Sequence, residues 1–468
     1  MKKAILWFRK DLRLSDNPAL NEAARKHQLL PIYIKSNPDR SNIYQTPGEA
    51  SSFWLQQSLI NLNEQMDHRI HVIDGDPDKI ITALCLQYQI QYVFCNRTYE
   101  PWQDNFDKQL ETDLAKKNIA FKQFENSRLL NKELIPKTKQ GNHYKVFTPF
   151  YKNYLSSLDH HFQPPVSQPK NINWLTIKID NLTQANYQPW QKKLLSHWQI
   201  GEKAAQNHWL DFLENNLQSY HLSRDYPAKE NTSKIAPYLH WGEISAKQLY
   251  ADLQTVPNSE GKEQFIRSLI WREFNLNLLN DFNCFHFQNW QKKFDHFPWQ
   301  ADRELFNLWK QGKTGYPMVD AGMRELWQTG FMHNRVRMIT ASFLVKNLLI
   351  DWRLGQAWFW NCLLDADIAN NSANWQWVAG CGADAAPFFR IFNPVTQAEK
   401  FDPTGDYIRN YLPEIAKLPT KYLFKPWQAP KEILEQADIQ LGVNYPRPIV
   451  DLSLSRQNAL NAYQQLSK

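Results

Sequence analysis

Short apolar runs recur along the first part of the chain at Ala4–Phe8, Leu30–Ile34, Ile70–Ile73, Tyr92–Cys95 and Ala120–Phe124, and each reads as a β-strand. Between them, apolar residues fall at helical spacing in Ala19–His27, Ser51–Met66, Asp78–Gln89 and Asp104–Lys117. Strands alternating with helices of this length predict βαβ units and a parallel sheet. Near-continuous apolar strands fit burial on both faces. From Asn131 to Gln199 the pattern weakens, with Pro136, Pro149, Pro164, Pro165, Pro169 and Pro189 set among polar residues, which predicts a connector packed on the surface. Further on, helices are predicted at Gly201–Asn216, Ser245–Gln254, Glu263–Leu279, Asp302–Lys310, Val319–Thr329, Arg335–Leu349 and Ser455–Leu466. The expected organisation is an α/β doubly wound parallel-sheet domain at residues 1–130, a connector at 131–199 and an all-α domain at 200–468.

Composition narrows the class. A chain of 468 residues that is 43% hydrophobic and 22% charged is an ordinary soluble protein able to build two or three cores. Tryptophan is the exception: eleven of the nineteen lie from Trp271 onward, which fits either a large aromatic core or stacking and electron-transfer duties. A net charge of +7 supports a nucleic-acid partner only where the cations cluster. The five cysteines are odd in number and form no C-x-x-C pair, which predicts a reducing compartment, no disulfide framework and no metal site. The apolar run Ala4–Phe8 is too short for a signal peptide. With no stretch near the roughly eighteen apolar residues of a membrane span, the expected location is the cytoplasm.

Some chemistries are excluded by their missing motifs. No G-x-G-x-x-G follows the first strand, where Trp7-Phe8-Arg9-Lys10-Asp11-Leu12-Arg13-Leu14 stands instead, so the sheet domain is a poor NAD site. A ligand at the carboxyl ends of its strands stays open. H-E-x-x-H, a nucleophile elbow and a P-loop are absent.

Four segments concentrate the remaining candidates: Trp309–Pro317, Met332–Met338, Asn371–Trp377 and Asp384–Arg390. Their mixture of indoles, guanidinium groups and amides suits a bound flavin serving an anionic polymer. On a helix, Asn334 and Met338 sit one above the other with Arg337 close by, while Val336, Ile339, Phe343 and Leu344 form the buried stripe. Arg335 and Arg337 beside an amide and a thioether suit phosphate contact and an adaptable seat for a flat ligand, or simply a solvated helix start. Asp365 and Asp367 precede a helix and either cap it or pair with buried cations. Thr232-Ser233-Lys234-Ile235-Ala236 marks either a turn or an anion cradle at a helix start.

Taken together, Leu6–Asn17, Leu269-Ile270-Trp271-Arg272-Glu273-Phe274, Gly315-Tyr316-Pro317 and the four segments resemble the DNA photolyase/cryptochrome family over nearly the whole chain, in the manner of a bacterial class I cyclobutane pyrimidine dimer photolyase. The resemblance implies an antenna domain followed by a helical domain that holds FAD. Tyr220, Thr232, Ser233, Lys234, Ile235, Ala236, Arg272, Arg337, Asp365, Asp367 and Asn371 are its implied FAD contacts. Asn371 would face the flavin N5, where an amide rather than an acid separates photolyases from plant-type cryptochromes. Trp375, Trp352 and Trp299 would relay electrons from the surface. Arg224, Ser268, Trp271, Asn334, Arg335, Met338, Trp377, Arg390 and Gln397 would meet the DNA lesion.

The chain departs from the family at Ser268, where a glutamate is usual, at Lys234 and Ala236 in the phosphate cradle, and at Phe331, a common tryptophan. Trp102-Gln103 does not reproduce the folate-contacting Asn-Glu, so an antenna chromophore, whether folate, deazaflavin or flavin, is left open. The expected function is light-driven repair of cyclobutane pyrimidine dimers, with a cryptochrome-type photoreceptor as the alternative. The expected partner is damaged DNA, met by a monomer that needs no protein partner.

Overall fold

A computed structural model describes residues 1–36, 42–126, 128–177, 187–385 and 390–466. The chain forms two compact units: residues 1–218 with 233–283, and residues 219–232 with 284–468. This division falls elsewhere than the expected boundaries at 130 and 199.

The first unit is built on five parallel strands, β1 (Lys2–Phe8), β2 (His27–Lys35), β3 (His71–Asp74), β4 (Tyr92–Asn96) and β5 (Ala120–Phe124), in the order β3-β2-β1-β4-β5. Ile5 stands opposite Leu30 on one side and Val93 on the other, and Val93 stands opposite Phe121. On one face Ile5, Trp7, Leu30, Ile32, Val93 and Cys95 pack with Ile81, Leu84, Leu110 and Leu114 of the crossover helices Pro77–Tyr88 and Pro101–Ala115. The alternate residues Ala4, Leu6 and Phe8 are equally buried, which is why the strands read as unbroken apolar runs. Each fully buried Leu, Ile, Val or Phe side chain among these contributes about 1.5–3 kcal/mol. Asn17 starts the first crossover helix, Pro18–Ala24, by accepting from the Leu20 N–H at 3.0 Å, with Pro18 in its first turn.

The connector is more structured than its prolines suggest. Phe147–His161 is a helix with Phe147, Phe150, Tyr154 and Leu158 on its buried side, and Pro189–Leu195 is another. Pro149 and Pro189 lie in the first turns of these helices, where a missing N–H costs nothing. Residues 178–186 of the stretch lie outside the described ones. Ser259 caps the Glu260–Asp281 helix through the Lys262 N–H at 3.1 Å, and this helix carries Ser268, Trp271 and Arg272.

In the second unit, helix Pro317–Thr329 packs on Asn334–Ser342, and Trp352–Cys362 packs on Ile368–Ala379. The helix expected through Leu349 is α-helical to Ser342 and passes into a π turn at Phe343–Asn347. Buried Lys346 on that turn donates to the Ala379 carbonyl at 2.9 Å, capping the C-terminus of the Ile368–Ala379 helix.

Candidate functional site

Two of the motif-rich segments are consumed by the fold itself. In the first unit Arg9 is buried; its Nη1 donates to both Asp107 oxygens at 3.0 and 2.9 Å and its Nε to the Asn96 carbonyl at 3.0 Å. Asp11 accepts from the Arg9 N–H and from Asn96, and Arg13 donates to the carbonyls of Asp16 and Gly242 at 2.7 Å each. These groups occupy the carboxyl ends of β1 and β4, the point where strand order reverses and doubly wound sheets often bind ligands. Gln103 is drawn into the same network, donating to Asp107 at 2.8 Å.

The Trp309–Pro317 segment is likewise structural. Trp309 is fully buried and donates to the Thr340 carbonyl at 3.0 Å. The buried Asp320 carboxylate accepts from the Thr314 N–H and hydroxyl at 2.7 Å, from the Gly315 N–H at 3.0 Å and from Tyr445 at 2.9 Å. Burial raises its pKa to about 6 despite those donors. Gly315 is required here: its φ is +78°, and a Cβ would fall 2.5 Å from the Arg447 backbone.

The second unit spends its polar groups more sparingly. Arg337 donates to both Asp365 oxygens at 3.1 and 2.9 Å and to the Met332 carbonyl at 2.7 Å, with Phe331 beneath its guanidinium at 5.3 Å. Arg335 donates to Asp225 at 2.8 Å and lies 4.4 Å over Phe401, while Asn334 is exposed. Neither Asp225 nor Phe401 was legible as a site residue, since each meets Arg335 only through the fold. His333 accepts from the Arg335 N–H at 3.2 Å and so starts this helix. Burial lowers its pKa to about 4, which keeps that nitrogen an acceptor.

Asp367 takes the capping role, accepting from the Asn370 N–H at 2.8 Å, whereas Asp365 takes the ion-pair role. Asn371 is buried one turn into the helix, its amide donating to the Gln356 carbonyl at 3.2 Å. Trp375 lies on the same helix against Gly355, where a Cβ would come within 2.2 Å of the indole. Trp352 opens the neighbouring helix and donates to Asn289 at 2.9 Å. Trp299 is half-buried, and the adjoining Gln300 N–H bonds the Leu349 carbonyl at 2.7 Å, close in sequence to Trp352. Three tryptophans far apart in sequence are thus tied to one group of helices.

The other expected contacts distribute as follows. Tyr220 is buried beneath the Arg224 guanidinium at 5.3 Å. Trp377 and Gln397 are half-buried, and Arg390 is exposed 4.8 Å over Phe392. Residues 386–389 of the Asp384–Arg390 segment are outside the described ones. Thr232 belongs to the second unit, while Ser233 to Ala236 belong to the first. There His208 Nε2 lies 2.7 Å from the Ser233 carbonyl, and Lys234 adopts φ +44° just before the Ala236–Trp241 helix. Arg272 donates to the buried carboxylate of Glu273 at 3.3 Å. Trp271 is half-buried with one face covered by Phe147, ring centroids 3.6 Å apart and planes 6° from parallel. The Ser268 hydroxyl donates to the Gln264 carbonyl at 3.0 Å, an intrahelical bond. Among the described residues no cluster of His, Cys, Asp or Glu could hold a metal ion, and no helix is long and apolar enough to cross a membrane.

Residues 4–170 match the family described as DNA photolyase, and residues 265–465 match the FAD binding domain of DNA photolyase. The chain is 42% identical to the deoxyribodipyrimidine photo-lyase of Agrobacterium fabrum, over 99% of this chain and 98% of that protein. It superposes on the crystal structure of a bacterial class III photolyase from Agrobacterium tumefaciens with a TM-score of 0.94 and 40% identity, covering 100% of this chain and 98% of the other. A cryptochrome from Synechocystis sp. PCC6803 superposes with a TM-score of 0.89 and 31% identity, covering 99% of each chain. The chain belongs to the DNA photolyase family. These relatives do not single out the class I branch.

The donor set in the second unit suits FAD. It offers a guanidinium–carboxylate pair in Arg337 and Asp365 and an anchored amide in Asn371. The buried polar atoms Gln356 Oε1 and Ser372 Oγ lack a partner among the described residues.

Proposed function

We propose that this chain repairs cyclobutane pyrimidine dimers in DNA when driven by light. The observation that carries the reading is Asn371, a buried amide held by the Gln356 carbonyl on the helix that also bears Trp375. An amide there offers no ready proton to an anionic ring. Reduced FAD, when bound, supplies the electron that opens the cyclobutane and accepts it back afterwards, so no net redox change is needed.

The chain's own residues do the rest. Arg337, locked by Asp365, places fixed positive charge near the cofactor without a cost in reorganisation. Trp299, Trp352 and Trp375 serve as oxidisable steps from the surface inward. Trp271 and Trp377 stack on the extruded nucleotides, and because Phe147 already covers one face of Trp271, only its other face is available for stacking. Arg224, Arg335 and Arg390 hold phosphates. Extrusion costs a few kcal/mol, least where pairing is already damaged.

The test illuminates purified, reduced protein with oligonucleotides carrying either a cyclobutane dimer or a pyrimidine–pyrimidone lesion. Loss of the cyclobutane dimer alone, in light and not in darkness, is the expected result. FAD-loaded protein that removes neither lesion would overturn the reading. One observation favours a photoreceptor instead: Ser268 stands in place of a carboxyl and spends its proton on Gln264.

A further inference from the structure

Between Glu133 and Asp159 the chain carries Lys137, Lys139, Lys145 and Lys152 and no carboxylate. The structure clamps part of this basic stretch along the Glu260–Asp281 helix at two points. His143 pairs with Asp281 at the helix end, and Phe147 lies flat on Trp271. The chain from His143 to Phe147 therefore runs beside the helix from residue 281 back to residue 271, a span of about 15 Å at 1.5 Å per residue.

The turn just before it is held by its own backbone. The Thr138 N–H donates to the Asn142 carbonyl at 2.7 Å, and the Gly141 N–H to the Thr138 carbonyl at 2.8 Å. The Asn142 N–H also donates to the Thr138 hydroxyl at 3.2 Å. Lys137 and Lys139 stand exposed on this turn.

We infer that Lys137 and Lys139 form a phosphate-binding rim for the DNA backbone flanking the nucleotide that Trp271 stacks on. The inference rests on the reading that Trp271 faces the lesion. The clamp at His143, next to this turn, stands about 15 Å along the helix from Trp271, roughly four nucleotide steps at 3.4 Å each. Lysine ammonium groups act as point charges on phosphate and carry no base information. The rim therefore strengthens binding to damaged and undamaged DNA alike, leaving discrimination to the stacking residues.

The test is a Lys137→Ala/Lys139→Ala double variant in the full chain, with binding to dimer-containing and undamaged duplexes followed by fluorescence anisotropy across a salt series. Affinity should fall by the same factor for both duplexes. The slope of log affinity against log salt should shrink by about 1.8, which is about 0.9 for each phosphate that a lysine no longer neutralises. The yield of dimer opening at saturation should not change, and a Lys137→Arg/Lys139→Arg variant should keep the wild-type slope. An unchanged slope, or a weakening confined to damaged DNA, overturns the inference. Failure of the repair reading would look different: a wild type that binds DNA and opens no dimer.

Discussion

The segments Leu6–Asn17 of the first unit and Met332–Met338 of the second both crowd arginines and amides together, and they dispose of that polarity in opposite ways. In the first, Arg9, Asp11, Arg13 and Asn17 are all buried and bonded to one another or to backbone within their unit. In the second, Asn334 is exposed, and Arg335 and Arg337 are half-buried and each pinned by one carboxylate. Polar density alone therefore does not mark a ligand site. What marks it is polarity the fold leaves accessible. The Trp309–Pro317 segment, in which Trp309 bonds Thr340 while Thr314 and Gly315 turn inward to Asp320, belongs with the first kind.

The comparison breaks first if the two arginine pairs prove equal in energy. Arg9→Ala leaves the buried Asp107 carboxylate without its counter-charge, with only amide donors around it, and should cost about 3–5 kcal/mol in urea unfolding. Arg335→Ala removes a partly solvated pair and should cost at most about 1 kcal/mol, while weakening DNA binding. Matching unfolding costs would mean that accessibility does not separate the two regions.

Glu243 sharpens the same contrast through pH. It is fully buried, accepting from Trp54 at 2.9 Å and Ser58 at 2.6 Å, with Glu202 as its charged neighbour. Burial raises its pKa to about 8 from 4.5. Between those values the folded chain holds a proton the unfolded chain has released, so stability falls as pH rises through the window. Glu243→Gln removes this dependence. Relative to that variant, the wild type should lose up to about 1.4 kcal/mol per pH unit between pH 5 and pH 8. Unfolding midpoints at three pH values measure it, and a constant difference would show the carboxyl to be charged and compensated throughout.

Period and burial made much of the architecture legible. Strand Ala120–Phe124 stands where the pattern put it, as an edge strand whose Phe121 is buried while Lys122 is exposed. β2 begins at His27, earlier than Leu30, since the preceding helix stops at Ala24 and the buried histidine packs on Tyr92 and Phe94. Pro149 reads as a breaker and so hides the Phe147–His161 helix, although its buried residues carry helical spacing. The partners Asp225, Phe401, Phe147 and Asn289 were beyond sequence reading for a different reason: each acquires its role through a contact with a residue more than sixty positions away. The doubled role offered for Asp365 and Asp367, cap or ion pair, was resolved only by geometry, with one aspartate taking each.

Ser268 lies between the two kinds of region, and its substitution carries the smallest expected effect. It stands three residues before Trp271 on one helix, so the two side chains share a face. Its hydroxyl is turned back on the Gln264 carbonyl. Glutamate at this position is a better helix former than serine and reaches past the backbone toward a ligand. It would also sit four residues before Arg272, the favourable order for an ion pair on a helix. A hydrogen bond from a charged or acidic group exceeds one from a back-bonded hydroxyl by about 1 kcal/mol, which is roughly fivefold in the balance between ring opening and unproductive charge return. Ser268→Glu should therefore raise the number of dimers opened per absorbed photon, with chemically reduced protein used so that refilling the flavin plays no part. An unchanged yield would remove residue 268 from the lesion site. A wild type that opens no dimer, beside a variant that does, would make this single hydroxyl the feature that separates a photoreceptor from a repair enzyme in this chain.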